Sequence, residues 1–341
     1  MKYLFKIQKK IVPELISLAE IRYTILRTVN YNQPIGRRSL ASKLDLSERS
    51  VRNQLEFLHS INMLEITRAG TVITPAGRNF LPELDKYIKE IRNIRNLEKK
   101  LKKVMELERV FIVPGELEYA TIKQEIGRFT ADILQDYIED GDIIAVTGGS
   151  TLAGVARSMP YHENHRDVMV VPARGGIGEK VEIQANTVAA EIAKKLGGSY
   201  RLLHVPDNIN KENIGMITSE PSIKKALNYL GKANLLLHGV GTADDMAERR
   251  DMNEEDIKLL EEKGAIGEAF GIYFDYQGCI VYSTTCVGLN LKALKNVDRV
   301  IAVAGGVNKA QAITAVVSPE YHDVLITDEK TAVEIIALKG G

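Results

Sequence analysis

Ile143-Ile144-Ala145-Val146-Thr147-Gly148-Gly149-Ser150-Thr151-Leu152 is the stretch from which the fold of this chain is read. Apolar and small residues run into Thr147, two glycines and two further hydroxyls, and a helix-compatible run continues through Ala156. The pattern reads as strand, tight turn, helix. Glycine lets the backbone turn sharply and approach a ligand closely. Free N–H groups at a helix start, with hydroxyls beside them, suit a phosphate. The stretch matches neither nucleotide fingerprint, because no third glycine stands at dinucleotide spacing and no lysine follows the glycines. Alone it is equally an ordinary strand-to-helix turn, so its surroundings must decide.

Outward from it, the chain alternates. Strand-like runs fall at 110–113, 142–146, 168–172, 200–203, 234–238, 267–274, 279–282, 299–304 and 324–327. Helix-like runs fall at 119–138, 185–196, 221–230, 254–263, 289–295, 309–316 and 329–338. Such alternation predicts an α/β domain, Rossmann-like, on a mostly parallel sheet. Residues 274–279 read as a hairpin turn, an antiparallel excursion. Ligands of open α/β sheets bind beyond the carboxyl ends of the strands. Five glycine-rich or polar turns stand there: residues 147–151, 172–176 with Gln184 beyond, 238–241 with Arg249 and Arg250 beyond, 264–268, and 304–309. Together they predict an anion pocket with positive charge from Arg174, Arg249, Arg250 and Lys309, and with Glu268 to accept hydroxyl groups. An isolated arginine of this kind is more often a surface ion pair.

The net charge of zero hides an asymmetry. Residues 1–106 carry 21 Lys and Arg against 11 Asp and Glu, a balance of +10, and the remainder carries 24 against 34. A basic first third on an acidic body points to a nucleic-acid module joined to something else. Residues 3–30 show apolar spacings of three and four, and Pro13 divides them into two helices. A loop over 31–36 leads to a short helix over 39–44, a turn, and a second helix capped by Ser47. Val51, Leu55 and Leu58 share one face of that helix; Arg49, Ser50 and Asn53 share another. This is a helix-turn-helix with a polar reading face. Runs 64–67 and 71–74 around Arg68-Ala69-Gly70 read as the wing. Candidate DNA contacts are Arg49 and Asn53 on base edges, Ser47, Ser50, Arg52 and Arg68 nearby, and Arg37 and Arg38 on phosphates. From 75 to 107 one long helix or two joined ones carry a stripe of Phe80, Leu84, Ile88, Ile91, Ile94, Leu97, Leu101 and Val104. The stripe packs on its own domain or forms a subunit contact. The expected domains are a winged helix-turn-helix at 1–75, a helical linker at 76–107 and an α/β effector domain at 108–341.

Several classes are disfavoured. No run of about 20 apolar residues marks a membrane span, and the lysine-bearing start is not a signal peptide. Cys279 and Cys286 form no ligand pattern and fit a reducing cytoplasm. His162, His165 and His238 lack acidic partners at metal-ligand spacing. No catalytic triad or dyad can be argued, so neither metal nor cofactor is expected.

The winged helix, the block at 146–151, Gly267-Glu268 through Phe274-Asp275, Val303-Ala304-Gly305-Gly306 with Lys309 and Ala312, and Leu325-Ile326-Thr327-Asp328-Glu329 resemble the SorC-like sugar-responsive transcriptional regulators. The resemblance covers nearly the whole chain. It implies a cytoplasmic repressor of a glycolytic operon that binds double-stranded operator DNA under control of fructose 1,6-bisphosphate or a related sugar phosphate. It further implies a homodimer that pairs into tetramers on DNA, and an effector domain similar to sugar-phosphate isomerases but without their activity. The implied sugar-phosphate contacts are Gly148, Gly149, Ser150, Thr151, Arg174, Gln184, Arg249, Arg250, Glu268 and Lys309. One phosphate would sit on residues 148–151 with Lys309, the other on the three arginines. Ser150 stands where a threonine is usual and keeps the hydroxyl. The alternative is a sugar-phosphate isomerase or deaminase fused to a DNA-binding segment. The acidic pair such an isomerase needs to move a proton is missing where it would be sought, at His238-Gly239-Val240-Gly241.

Overall fold

A computed structural model describes the chain apart from residues 1–6, 8, 9, 116–118, 163–166, 179, 207, 208, 210 and 341. It divides into two compact units, one running through Asn96, the other built from Leu97–Gly115 and from Ile122 onward. The start of the helical run expected from residue 3, and His165, lie outside the described residues.

In the first unit, helix α1 (Pro13–Asn32) begins at the proline that the sequence marked as a break. A proline in the first turn lacks an N–H that the helix could not have bonded. α1 runs two residues into the expected loop. α2 (Arg37–Lys43) starts two residues earlier than expected, which places Arg37 and Arg38 in its first turn. α3 (Glu48–Ser60) is capped as read: the Ser47 hydroxyl oxygen accepts the Ser50 N–H at 3.1 Å. Strands β1 (Leu64–Thr67) and β2 (Gly70–Ile73) form the antiparallel wing. Ile35 bridges to Thr71 beside it. Gly70 adopts φ +139°, and a Cβ there would meet the Ile35 backbone at 2.9 Å, so the close approach requires glycine. α4 (Pro75–Ile91) completes the unit, its Thr74 cap bonding the Gly77 N–H. Tyr23, Leu26, Leu40, Val51, Leu55, Leu58, Leu64, Leu81 and Ile88 form one core, with Leu84 packed against it. Leu84 and Ile88 of the stripe therefore pack on their own domain, while Phe80 is exposed. After Asn93, in the left-handed region at φ +55°, comes α5 (Ile94–Met105). The segment expected as a linker is thus split: α4 belongs to the core of the first unit, and α5 from Leu97 belongs to the second.

The second unit is organised by seven parallel strands: β3 (Arg109–Val113), β4 (Ile143–Val146), β5 (Met169–Pro172), β6 (Ser199–Tyr200), β7 (Leu235–Gly239), β12 (Arg299–Val303) and β13 (Val324–Asp328). Their order is β3-β13-β12-β7-β4-β5-β6. β4, β7, β12 and β13 are apolar and almost wholly buried, as strands covered on both faces must be. Helices α6 (Tyr119–Leu134), α7 (Ser150–Ser158), α8 (Ala185–Leu196), α9 (Pro221–Leu230), α10 (Ala243–Arg249), α11 (Glu254–Glu262), α12 (Ala310–Val316) and α13 (Glu329–Gly340) alternate with the strands. From β4 the order advances to β5 and β6 on one side and to β7, β12 and β13 on the other. The β4–β7 pair is the switch point at which such sheets open a ligand crevice.

A second, antiparallel sheet has the order β11-β10-β9-β8: β8 (Gly241–Thr242), β9 (Ala265–Ala269), β10 (Ile272–Asp275) and β11 (Ile280–Ser283). The run expected as one strand over 267–274 is two, because Phe270 and Gly271 turn with φ +57° and +70°. The strand expected at 200–203 is only Ser199–Tyr200, and the helix at 289–295 is only Leu291–Leu294, capped by Asn290. The helix expected to reach 138 ends at Leu134. Among the described residues, no helix is long and apolar enough to cross a membrane.

Candidate functional site

At the switch point a cavity of about 320 Å³ opens, and all ten residues expected to touch a sugar phosphate line it. The turn after β4 forms one wall. Gly148 packs so tightly that a Cβ would meet the Ile183 carbonyl oxygen at 2.6 Å, and Gly149 takes φ +114°. Gly149 donates its N–H to Ile183 O at 2.8 Å, which fixes the turn. It leaves Ser150, Thr151 and Leu152 as the first residues of α7, with no side-chain cap. First-turn N–H groups have no partner inside their own helix, so three donors and two hydroxyls face the crevice at the positive end of a helix. Thr147 locks the turn to β7, its N–H bonding Leu237 O and its hydroxyl accepting the Gly239 N–H.

Lys309 arrives from the turn after β12. Gly306 donates its N–H to Asp328 Oδ2 at 2.7 Å, and Asp328 also holds Thr331, so the first turn of α13 anchors the lysine-bearing turn. A Cβ on Gly305 would meet Asp328 Oδ2 at 2.6 Å. The Lys309 ammonium donates to Val240 O at 2.8 Å. Burial, with Lys123 and Arg249 nearby, lowers its pKa to about 8, and Asp245 and Glu268 oppose that shift.

The other charged cluster centres on Glu268 of β9. Arg250 Nη2 donates to Glu268 Oε1 at 2.8 Å and Nη1 donates to the Tyr273 hydroxyl at 3.1 Å. Arg174 Nη1 stands 4.0 Å from the same carboxylate oxygen and its Nη2 donates to Thr284. All three side chains are at most 4% exposed. Burying a carboxylate is costly unless partners of opposite charge replace its lost water, and the two guanidiniums do so here. Arg250 is therefore not the freely forking side chain that its sequence position indicated. Arg249, at the end of the unanticipated helix α10, is exposed on the cavity wall.

Gln184 also differs from expectation. Its amide accepts the Ile177 N–H at 3.1 Å and donates to the Ile177 and Gly178 carbonyls at 2.8 and 2.6 Å. It thereby ties the loop that carries Lys180, another lining residue, to the start of α8. Lys180, Asp245, Met246 and Phe270 line the cavity without having been singled out as contacts. Asp245 follows the glycine-bearing turn after β7, and Phe270 was hidden inside the run read as one strand. Five cationic side chains face two carboxylates in the lining, a surplus of three positive charges. Behind Phe270, His238 is buried with its ring 5.0 Å from that of His322. Burial and the second imidazole push its pKa well below the usual value.

The first unit presents a different surface. Arg49, Arg52 and Asn53 are exposed on α3, opposite buried Val51, Leu55 and Leu58, and Arg68 is exposed at the wing tip. Arg37 and Arg38 lie 3.6 and 3.5 Å from Glu48, and Arg52 pairs with Glu56. Ser47 uses its oxygen to cap the helix, and Ser50 is half-buried beside it.

Two family models match the chain: one described as "Putative sugar-binding domain" over residues 89–337, the other as the CggR N-terminal DNA binding domain over residues 18–88. The chain is 42% identical to the Central glycolytic genes regulator of Priestia megaterium, over 98% of this chain and 99% of the relative. It is 38% identical to the protein of the same name from Bacillus subtilis, over 98% and 99%. A crystallised SorC family transcriptional regulator from Enterococcus faecalis superposes with a TM-score of 0.66 at 38% identity, covering 71% of this chain and 99% of that one.

Proposed function

Because the chain belongs to the SorC family of transcriptional regulators, we propose that it represses a glycolytic operon and releases operator DNA on binding fructose 1,6-bisphosphate or a closely related sugar bisphosphate. It is a regulator of glycolytic genes that joins an N-terminal DNA-binding domain to a sugar-binding domain. The observation that carries the effector reading is the cavity itself. Its lining brings together the N–H groups and hydroxyls at the start of α7, Lys309, Arg249, Arg174 and Arg250, which we divide into two sets of anion donors, residues 150–152 with Lys309 and the three arginines. A sugar bisphosphate has two dianionic ends. We assign one to each set, with Glu268 and Asp245 left to accept sugar hydroxyls.

The cavity binds and does not react on this reading. Glu268 is tied to Arg250 and to the Gly271 N–H, and a general base must reach the proton it removes. Binding favours a conformation or assembly with weaker hold on DNA, since a ligand shifts only states it binds differently. Paired half-sites are read by symmetric dimers, so the working form is a homodimer that pairs into a tetramer on the operator. The test is calorimetry of the full chain with fructose 1,6-bisphosphate and fructose 6-phosphate, beside coupled isomerase and deaminase assays. Tight binding of the bisphosphate alone, with no turnover, supports the reading. Turnover of either sugar, or equal affinity for both, defeats it.

A further inference from the structure

Helix α5 carries a strongly cationic outer face that neither the cavity nor the reading helix uses. Its sequence from Ile94 to Met105 holds Arg95, Lys99, Lys100, Lys102 and Lys103 against a single acid, Glu98. At 3.6 residues per turn, Arg95, Lys99, Lys102 and Lys103 fall on one side. Ile94, Leu101 and Met105 are buried on the other. Glu98 reaches away from these cations to β3, where its carboxylate accepts the Ile112 N–H at 3.0 Å. All four lysines are exposed. Among the described residues none of them stands in an ion pair, whereas Arg95 reaches Glu90 at 3.4 Å. Lys99 has like-charged neighbours at i+3 and i+4, an arrangement that opposes helix formation and gains from a bound polyanion.

We propose that this face is a second, sequence-independent contact with the phosphate backbone of the DNA that the first unit reads. The inference rests on the DNA-binding reading above. Charge complementarity selects the occupant: Arg95 to Lys103 spans about 12 Å of helix, a length over which duplex DNA carries roughly seven phosphates. The chain path selects DNA over other polyanions, since Lys99 follows only eight residues after Ile91, the last residue of α4, whose Leu81 and Ile88 belong to the core of the winged helix. Lysine suits the task, because an exposed ammonium meets phosphate as a point charge with no fixed geometry.

The experiment uses the full-length protein and its Lys99→Gln/Lys102→Gln/Lys103→Gln variant. Binding to operator duplex and to a random duplex of equal length is measured between 50 and 200 mM KCl. Three lost phosphate contacts lower the slope of log K against log salt by about 2.7 on both duplexes, a change of about 40-fold across that range. The ratio of operator to random affinity stays the same, as do fructose 1,6-bisphosphate affinity and the mass in light scattering. An unchanged slope overturns the proposal. So does a changed mass, which would make the face a subunit contact, or loss confined to binding of vesicles containing anionic lipid, which would make it a membrane contact. If the parent itself fails to prefer operator over random duplex, it is the DNA reading that has failed, not the lysine assignment.

Discussion

Arg37 and Arg38 reach Glu48 at 3.6 and 3.5 Å on an exposed helix end, whereas Arg250 reaches Glu268 at 2.8 Å with both side chains almost excluded from water. The two regions hold the same kinds of charge for different purposes. Exposed pairs contribute little and are screened by salt, so the first unit can exchange Glu48 for a DNA phosphate at small cost. A buried carboxylate between two guanidiniums cannot be loosened that way. It sets the positive charge of the cavity before any ligand arrives. The charge on the first unit lies open to solvent, and the charge lining the cavity is fixed in place by its partners.

The largest expected effect is at Glu268. Glu268→Ala leaves Arg174 and Arg250 buried without their carboxylate and should destabilise the second unit by about 3–5 kcal/mol. The check is the urea midpoint of the full chain, with Glu268→Gln losing less because the amide oxygen still accepts. An alanine variant as stable as the parent would mean that the cluster is not a structural ion network.

In the first unit, Arg49→Ala should reduce discrimination between operator and random DNA by about 1–3 kcal/mol if the guanidinium forks onto a base edge. Competition binding against random duplex reads this directly. Stability should stay near the parent value, since Arg49 is exposed.

The effect of pH sharpens the contrast next. Lys309 has its pKa lowered to about 8 by burial. Below pH 8 the free cavity already carries the charge, and an anion binds without proton uptake at this group. Above pH 8 the lysine is neutral until an anion draws a proton in, so affinity should fall up to tenfold per pH unit. The phosphate's own second ionisation near pH 6 weakens binding on the acid side, which leaves the optimum between about 6 and 8. Calorimetry at pH 9 in buffers of different ionisation heat should detect proton uptake, and its absence would contradict the assignment of Lys309 to a phosphate.

Arg38→Ala gives the smallest effect. It should lower the salt slope of DNA binding by about 0.9 on operator and random duplex alike, with sequence preference unchanged.

What was legible in the sequence follows the range of the interactions concerned. Ser47 announced α3, and the bounds of α8 and α9 were read to the residue, because caps and helical periodicity act over one or two turns. The glycine turn after β4 was legible for the same reason. Phe270 was not read correctly, and the partners that hold Gln184 and Arg250 were not foreseen. Gln184 bonds a loop seven residues away and Arg250 a carboxylate eighteen residues away, and no local pattern fixes such partners. Phe270 turns the chain at φ +57° where the sequence offers an unbroken apolar run. The stripe of Leu84, Ile88 and Ile91 gave its periodicity but not its partner, which is the core of the winged helix for Leu84 and Ile88.

On the reading proposed above, a bisphosphate bridging two sets of anion donors releases the operator. The most direct test is titration of operator-bound protein with fructose 1,6-bisphosphate and fructose 6-phosphate, on the parent, Thr151→Ala and Arg249→Ala. The parent should release operator with the bisphosphate at much lower concentration than with the monophosphate, and both variants should respond weakly with operator affinity intact. Equal action of the two sugars on the parent, or a full response in either variant, would contradict it.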